Sequence, residues 1–146
     1  MSDVISFDVV GIPVQQGSKR HVGNGRMIEA ANGHREWRNA VAHAARDIAT
    51  RTPGAPLDGP LCLSVRFRFP MPSSRPKRVR DAGEQWKVSA PDLDKLIRSI
   101  GDALTASGLI RDDARIGMVI ASKVETTSWA GAVIQLYPLE ALEAQP

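Results

Sequence analysis

Between Pro91 and Ile116 the chain reads PDLDKLIRSIGDALTASGLIRDDARI. Asp92 and Asp94 form an Asp-x-Asp pair where an amphipathic helix begins. Asp112 and Asp113 follow just past its end, ahead of a new strand. Carboxylate oxygens are the ligands that hard divalent cations such as Mg²⁺ select. Several of them converging from a helix start and a strand start can hold a metal for phosphodiester hydrolysis. Each residue alone has a plainer use: Asp92 as a helix cap, Asp94 with Arg98 as an i, i+4 ion pair, Asp112-Asp113 as a turn. Stability gives no reason to place acidic pairs at both ends of one linking unit. The combination therefore points to a small metal-dependent nuclease.

The helix between the pairs can be checked by angle. At about 100° per residue, Leu93, Leu96, Ile97, Ile100 and Leu104 fall on one stripe. Asp94, Arg98 and Asp102 recur at i, i+4, i+8 on another face, with Lys95 beside them. Asp92 sits at the N-cap position, where a carboxylate meets the positive end of the helix dipole. Gly108 stands where a glycine commonly ends a helix. One side is made for a core and the other presents an array of acids and bases.

These residues resemble the signature of the RusA family of Holliday junction resolvases. The family pattern runs D-x-D-N-x-x-K, then D-A-L-(T)-x-x-G, then D-D and a strand. The chain matches it with Asp92-Leu93-Asp94, a basic residue at Arg98, Asp102-Ala103-Leu104-Thr105, Gly108 and Asp112-Asp113-Ala114. The match is good over residues 91–124 and looser over the rest of the chain. The resemblance implies small homodimeric endonucleases of bacteria and their phages that cut four-way DNA junctions with Mg²⁺, Mn²⁺ substituting. Carried over, it implies that Asp92, Asp94 and Asp113 bind metal, with Asp112 assisting. The family's lysine corresponds to Arg98 and its asparagine to Lys95, and both are departures. Arg98 keeps the charge and offers a bidentate contact to developing phosphorane charge, but it cannot give up a proton near neutral pH. Either Arg98 or Lys95 takes the place of the family's catalytic lysine.

Composition fits this reading. At 146 residues the chain makes one domain, residues 1–146, with room for a core and not for two. Its net charge of +3 and pI near 9.4 suit a polyanionic partner. The single Cys62 excludes an internal disulfide and a cysteine zinc site, and fits a reducing cytoplasm. His21, His34 and His43 show no metal-ligand spacing. There is no signal-peptide layout and no run near the ~20 apolar residues that cross a bilayer. A soluble, cytoplasmic protein is expected.

The elements that must position the carboxylates can be read along the chain. Val4–Val10 is a strand closed by Gly11-Ile12-Pro13. Residues 15–33 form a long loop with four glycines and Lys19, Arg20 and Arg26. A helix from about His34 to Thr50 buries Trp37, Val41, Ala44 and Ile48 on one face. After the breaks at Pro53-Gly54 and Gly59-Pro60, Leu61, Leu63, Val65, Phe67 and Phe69 alternate with Cys62, Ser64, Arg66 and Arg68, a period of two that demands a strand. Pro70–Ala90 is polar and basic. The carboxylate helix follows, then strands near Arg115–Glu125 and Ala132–Tyr137. The order β-α-β-α-β-β predicts an α+β or α/β layer with two helices packed on a mixed sheet.

Two basic loops complete the picture. Ser73–Arg80 carries Arg75, Lys77, Arg78 and Arg80 and leads within a dozen residues to the acidic pair; the earlier loop adds Lys19, Arg20 and Arg26. Such clusters make phosphate contacts driven by counterion release, although an isolated charge run is ordinarily only solvated. Trp86 either stacks on an exposed base or anchors its loop. Arg66 and Arg68 either line the same cleft or face water. Two rival functions share these features: a branched-DNA-binding protein of the same fold that does not cut, and a less selective metal-dependent nuclease.

Overall fold

The computed structural model describes residues 4–15, 19–22, 26–29 and 33–142, with the segments 19–22 and 26–29 described by their backbone only. In chain order the elements are β1 (Ile5–Val10), β2 (Lys19–Val22), β3 (Arg26–Glu29), α1 (His34–Ala49), β4 (Leu61–Pro70), α2 (Lys77–Ala82), β5 (Glu84–Trp86), α3 (Leu93–Ser107), a 3₁₀ turn (Asp113–Arg115), β6 (Ile116–Thr126) and β7 (Gly131–Pro138). Five strands form one sheet in the order β1-β7-β4-β6-β5, and β2 pairs with β3 in a two-stranded hairpin.

β4 organises the molecule because its alternation is so strict. Leu61, Leu63, Val65, Phe67 and Phe69 are buried on one side, while Arg66 stays exposed on the other. β4 runs parallel to β6 and antiparallel to β7, so the sheet is mixed. A parallel pair needs a crossover, and α3 lies within the one that joins β4 to β6. The crossover returns the chain along α3, so the segment before α3 lies beside Lys123 in the second half of β6, while the start of β6 follows the far end of the helix.

Two helices cover the apolar face. α1 buries Trp37, Val41 and Ala45, and α3 buries Leu96, Ile100, Ala103 and Leu104 in the same cluster. Full burial of a side chain such as Leu96 or Ile100 contributes about 1.5–3 kcal/mol. The stripe of α3 therefore locks the rotation of the helix, and its opposite face must point outward with Asp94 and Arg98.

The structure adds elements to the expected β-α-β-α-β-β order. The 15–33 segment contains the β2–β3 hairpin, with Lys19 opposite Glu29 and Val22 opposite Arg26. The basic 70–90 segment contains α2 and β5, and β5 pairs with only Glu125's neighbourhood, Val124–Thr126 of β6. Neither carries an apolar period of its own; β2 and β3 pair with each other, whereas β5 depends on the distant β6. In α1 it is Ala45 that is fully buried, with Ala44 and Ile48 packed half-buried beside it. Among the described residues no helix is long and apolar enough to cross a membrane.

Candidate active site

Asp92 occupies the N-cap position of α3 in an extended conformation (φ −71°, ψ 138°), but its side chain makes no capping hydrogen bond. Its backbone carbonyl starts the helix by accepting from Leu96 N at 3.1 Å. The capping use expected of Asp92 is thus met by backbone alone, and the carboxylate is left outward, 64% exposed, with Lys95 Nζ at 3.9 Å. Asp94 lies in the first turn and is also exposed. Both carboxylates stand at the positive end of the α3 dipole, where unpaired backbone N–H groups also favour anions.

Asp112 and Asp113, although adjacent, play different parts. Asp112 Oδ1 accepts from Ala114 N at 2.8 Å and caps the 3₁₀ turn. Asp113 instead lies against α3 at Gly101: a Cβ added to Gly101 would sit 3.3 Å from Asp113 Cβ and 3.9 Å from Asp113 Oδ2. Gly101 is the i+7 neighbour of Asp94 and the i+3 neighbour of Arg98, so all three share a face of the helix. Asp113 is therefore on the Asp94 side of α3, about 10 Å further along the axis.

The turn carrying Asp113 is staked at both ends. Arg115 Nε donates to Asp58 Oδ1 at 2.7 Å, and Arg111 Nε lies 3.8 Å from the same oxygen. The hydrogen bond that Arg115 donates to Asp58, and then the Asp58 charge, raise the Arg115 pKa above its ordinary value. Backbone bonds from Leu57 N to Leu109 O and from Arg111 N to Leu57 O, each 2.9 Å, fix the approach to the turn. Arg98 is exposed and makes no hydrogen bond or ion pair with a described residue.

The donor chemistry fits a hard cation, and the arrangement decides which kind of site. Among the described residues no three acidic, histidine or cysteine side chains are grouped closely enough to hold an ion by themselves. Mg²⁺ seldom uses such a cage; it is commonly bound through one or two carboxylates, with water and substrate phosphate oxygens completing its shell. Asp92 and Asp94, exposed and free of capping duty, fit that mode.

The basic residues divide by what they touch. Arg75 is committed to the fold: its Nε and Nη2 donate to Glu125 Oε1 and Oε2 at 2.9 and 2.7 Å, and Gln85 Nε2 donates to Oε1 at 2.7 Å. The Arg75 hydrogen bond foremost holds the Glu125 carboxyl at about 2, against the pull of its burial. Sequence reasoning grouped Arg75 with the phosphate contacts, but a nearly buried carboxylate on a distant strand claims it. Lys77, Arg78 and Arg80 lie on α2 and face solvent, with Lys77 paired to Asp81 at 2.7 Å. Trp86 is 65% exposed, so it does not anchor its loop by burial. Arg68 donates to Trp129 O at 3.0 Å and stacks 4.3 Å from the Trp129 ring centre. Arg66 remains half exposed between Ser122 and Glu84. The side chains of Lys19, Arg20 and Arg26 lie outside the described residues.

Sequence spacing gave no hint of Lys123, whose ammonium reaches from β6 to the segment that delivers Asp92. Its interactions span more than thirty residues of chain, and no local pattern signals such a contact.

The described residues thus present exposed carboxylates at the start of α3 and, on the Asp94 face, a guanidinium with no partner among them. A family model, endodeoxyribonuclease RusA, matches residues 9–137, most of the chain. The chain belongs to the RusA family of endodeoxyribonucleases. No curated protein matches it closely enough to count as a relative.

Proposed function

We propose that this chain is a divalent-metal-dependent endodeoxyribonuclease that resolves four-way DNA junctions by paired, symmetric cuts, in recombination and repair in the cytoplasm. One observation supports the reading beyond the family: Asp92 and Asp94 are exposed and free of capping bonds at the start of α3, and the Asp94 face of the helix bears Arg98 and meets Asp113 at Gly101. Asp92, Asp94 and Asp113 are the residues that would hold Mg²⁺ or Mn²⁺, the Asp92–Asp94 pair directly. Asp112 serves them by fixing the turn. The ion supplies charge neutralisation at the scissile phosphate and an acidified water.

The remaining tasks fall to the chain itself. Arg98, exposed on the Asp94 face of α3 and without a partner among the described residues, stabilises charge as it develops on the phosphate. Lys95, paired with Asp92, limits the repulsion between neighbouring carboxylates. Lys77, Arg78 and Arg80, with Lys19, Arg20 and Arg26, contact the DNA backbone.

Two symmetric cuts call for two equivalent sites, which a twofold homodimer supplies. The surface that supports a second copy is the first half of β6. Met118, Val119 and Ile120 are exposed at 47, 42 and 54%. Their outer edge has no partner strand among the described residues, since β5 covers only Val124–Thr126. An open apolar edge invites pairing, and an antiparallel edge is self-complementary about a twofold axis.

The deciding experiment compares a synthetic four-way junction with a linear duplex of matched sequence, with and without Mg²⁺, using wild type and Asp94→Asn. Paired nicks on the junction alone, dependent on the ion and lost in a variant that still binds, are the expected result. Equal cutting of both substrates would identify a less selective nuclease. Binding without cutting in Mg²⁺ or Mn²⁺ would identify a non-catalytic branch binder.

A further inference from the structure

Asp92 is delivered by a segment that has little structure of its own. Between β5 and α3 the chain runs Lys87-Val88-Ser89-Ala90-Pro91, with Val88 95% exposed. Such a segment cannot place a carboxylate to the precision a metal site requires unless something holds it.

Lys123 holds it at three points. Lys123 O accepts from Lys87 N at 3.1 Å, which ties the start of the segment to β6. Its ammonium then donates to Ser89 O at 2.8 Å and to Pro91 O at 2.7 Å. The side chain leaves β6 on the helix-covered side, since Lys123 stands opposite the buried Phe67 in the β4–β6 register. Two of the three donors of the ammonium are thus occupied by carbonyls, and none by a carboxylate among the described residues.

The last of these contacts bears directly on Asp92. Pro91 O and Asp92 N belong to one rigid peptide plane. Lys123 fixes the oxygen end, and Gln15 Oε1 accepts from the nitrogen end at 3.4 Å. With both ends of that plane tied, the Asp92 N–Cα bond is held, and the cap conformation (φ −71°) then sets where the Cα–Cβ bond leaves the chain and how the first turn carrying Asp94 begins.

We propose that Lys123 is a positioning residue for the Asp92–Asp94 carboxylates, acting through the Pro91–Asp92 peptide with Gln15 as its counterpart. It touches neither substrate nor ion. The proposal rests on the reading of this pair as a divalent-cation site, and its test keeps the two apart.

The full-length protein is titrated with Mn²⁺ alone, followed by the electron-spin resonance of the free ion. The Mg²⁺ dependence of junction cleavage is measured in parallel, with kcat and KM separated. Lys123→Met, which keeps the aliphatic stem and removes the donors, is expected to raise half-saturating Mn²⁺ and Mg²⁺ at least tenfold and to lower kcat. KM for the junction is expected to stay within about twofold. Lys123→Arg, which restores charge and donors, is expected to recover most of the loss. Gln15→Leu is expected to move Mn²⁺ affinity several-fold in the same direction. If Lys123→Met binds Mn²⁺ like wild type and shows only a lower melting temperature, Lys123 is a staple of the fold and the proposal is overturned. If Lys123→Met does not fold, unchanged Mn²⁺ affinity in Gln15→Leu overturns it. A wild-type protein that neither binds Mn²⁺ nor needs a divalent ion to cut would instead remove the metal reading on which the proposal rests.

Discussion

Glu125 of β6 accepts both arms of the Arg75 guanidinium, Nε to Oε1 at 2.9 Å and Nη2 to Oε2 at 2.7 Å, and so pins the basic 73–80 segment to the sheet. Only 2% of the Glu125 side chain is exposed. Its pKa of about 2 lies below the ordinary 4.5. A lowered folded value means that the stabilisation is complete above pH 4.5 and disappears as pH falls toward 2. Glu125→Gln should lower stability at pH 7 by about 1.5–3 kcal/mol, the range for hydrogen bonds to charged groups. The gap between variant and wild type should narrow as pH falls from 4.5 toward 2. Urea denaturation at stepped pH checks both; a gap that widens in acid would refute the account.

Gly101 faces Asp113 across a distance that leaves little room for a side chain. Alanine there gains up to about 1 kcal/mol of helix propensity, while its Cβ would press on Asp113 at 3.3 Å. Gly101→Ala should therefore change stability by less than about 1 kcal/mol and slow junction cleavage several-fold. Gly101→Val, with two further methyl groups aimed at the turn, should slow cleavage more than tenfold and leave junction binding intact. Thermal melts and single-turnover cleavage separate these effects. Wild-type rates in both variants would take Asp113 out of the site.

Arg98 and Lys95 compete for the place of the family's lysine, and their surroundings differ. Lys95 already lies 3.9 Å from Asp92 Oδ2, whereas Arg98 has no partner among the described residues. Removing one preorganised donor from developing charge ordinarily costs about 10²–10³ in rate. Arg98→Ala should lose that much in kcat, and Lys95→Ala less than about tenfold by the same measure. Arg98→Lys should regain part of the loss, since an ammonium supplies charge without the bidentate fork. The reverse order of the two alanine variants would assign the role to Lys95.

What the sequence disclosed and what it hid follow from the range of the interactions involved. β4 and α3 were legible because their burial is periodic: alternate residues from Leu61 to Phe69, and the stripe Leu96, Ile100, Leu104. Where the carboxylates fall was legible, Asp92 and Asp94 at the start of α3 and Asp112-Asp113 before β6, because the helix between them is periodic. The parallel pairing of β4 with β6 leaves no local trace, and neither does β5, three residues paired with Val124–Thr126. Arg75 read as one more loop cation, since its partner lies fifty residues away. Lys123 was silent for the same reason: a lysine in a strand acquires its meaning only when the fold brings the Ser89–Pro91 carbonyls over it.

α2 gives the last test, because its charges face water while Arg75, just before it, is engaged. Lys77, Arg78 and Arg80 are one turn or less apart on a six-residue helix. Each phosphate they neutralise should contribute about 0.9 to the slope of log affinity against log salt. Replacing all three with alanine should lower that slope by about 2–3 for junction and duplex alike, because phosphate contacts carry no structural preference. The choice of junction over duplex should survive at matched ionic strength. An unchanged slope would leave α2 a solvated surface and shift the DNA path toward Lys19, Arg20 and Arg26. A lost preference for the junction would mean instead that α2 reads the branch itself.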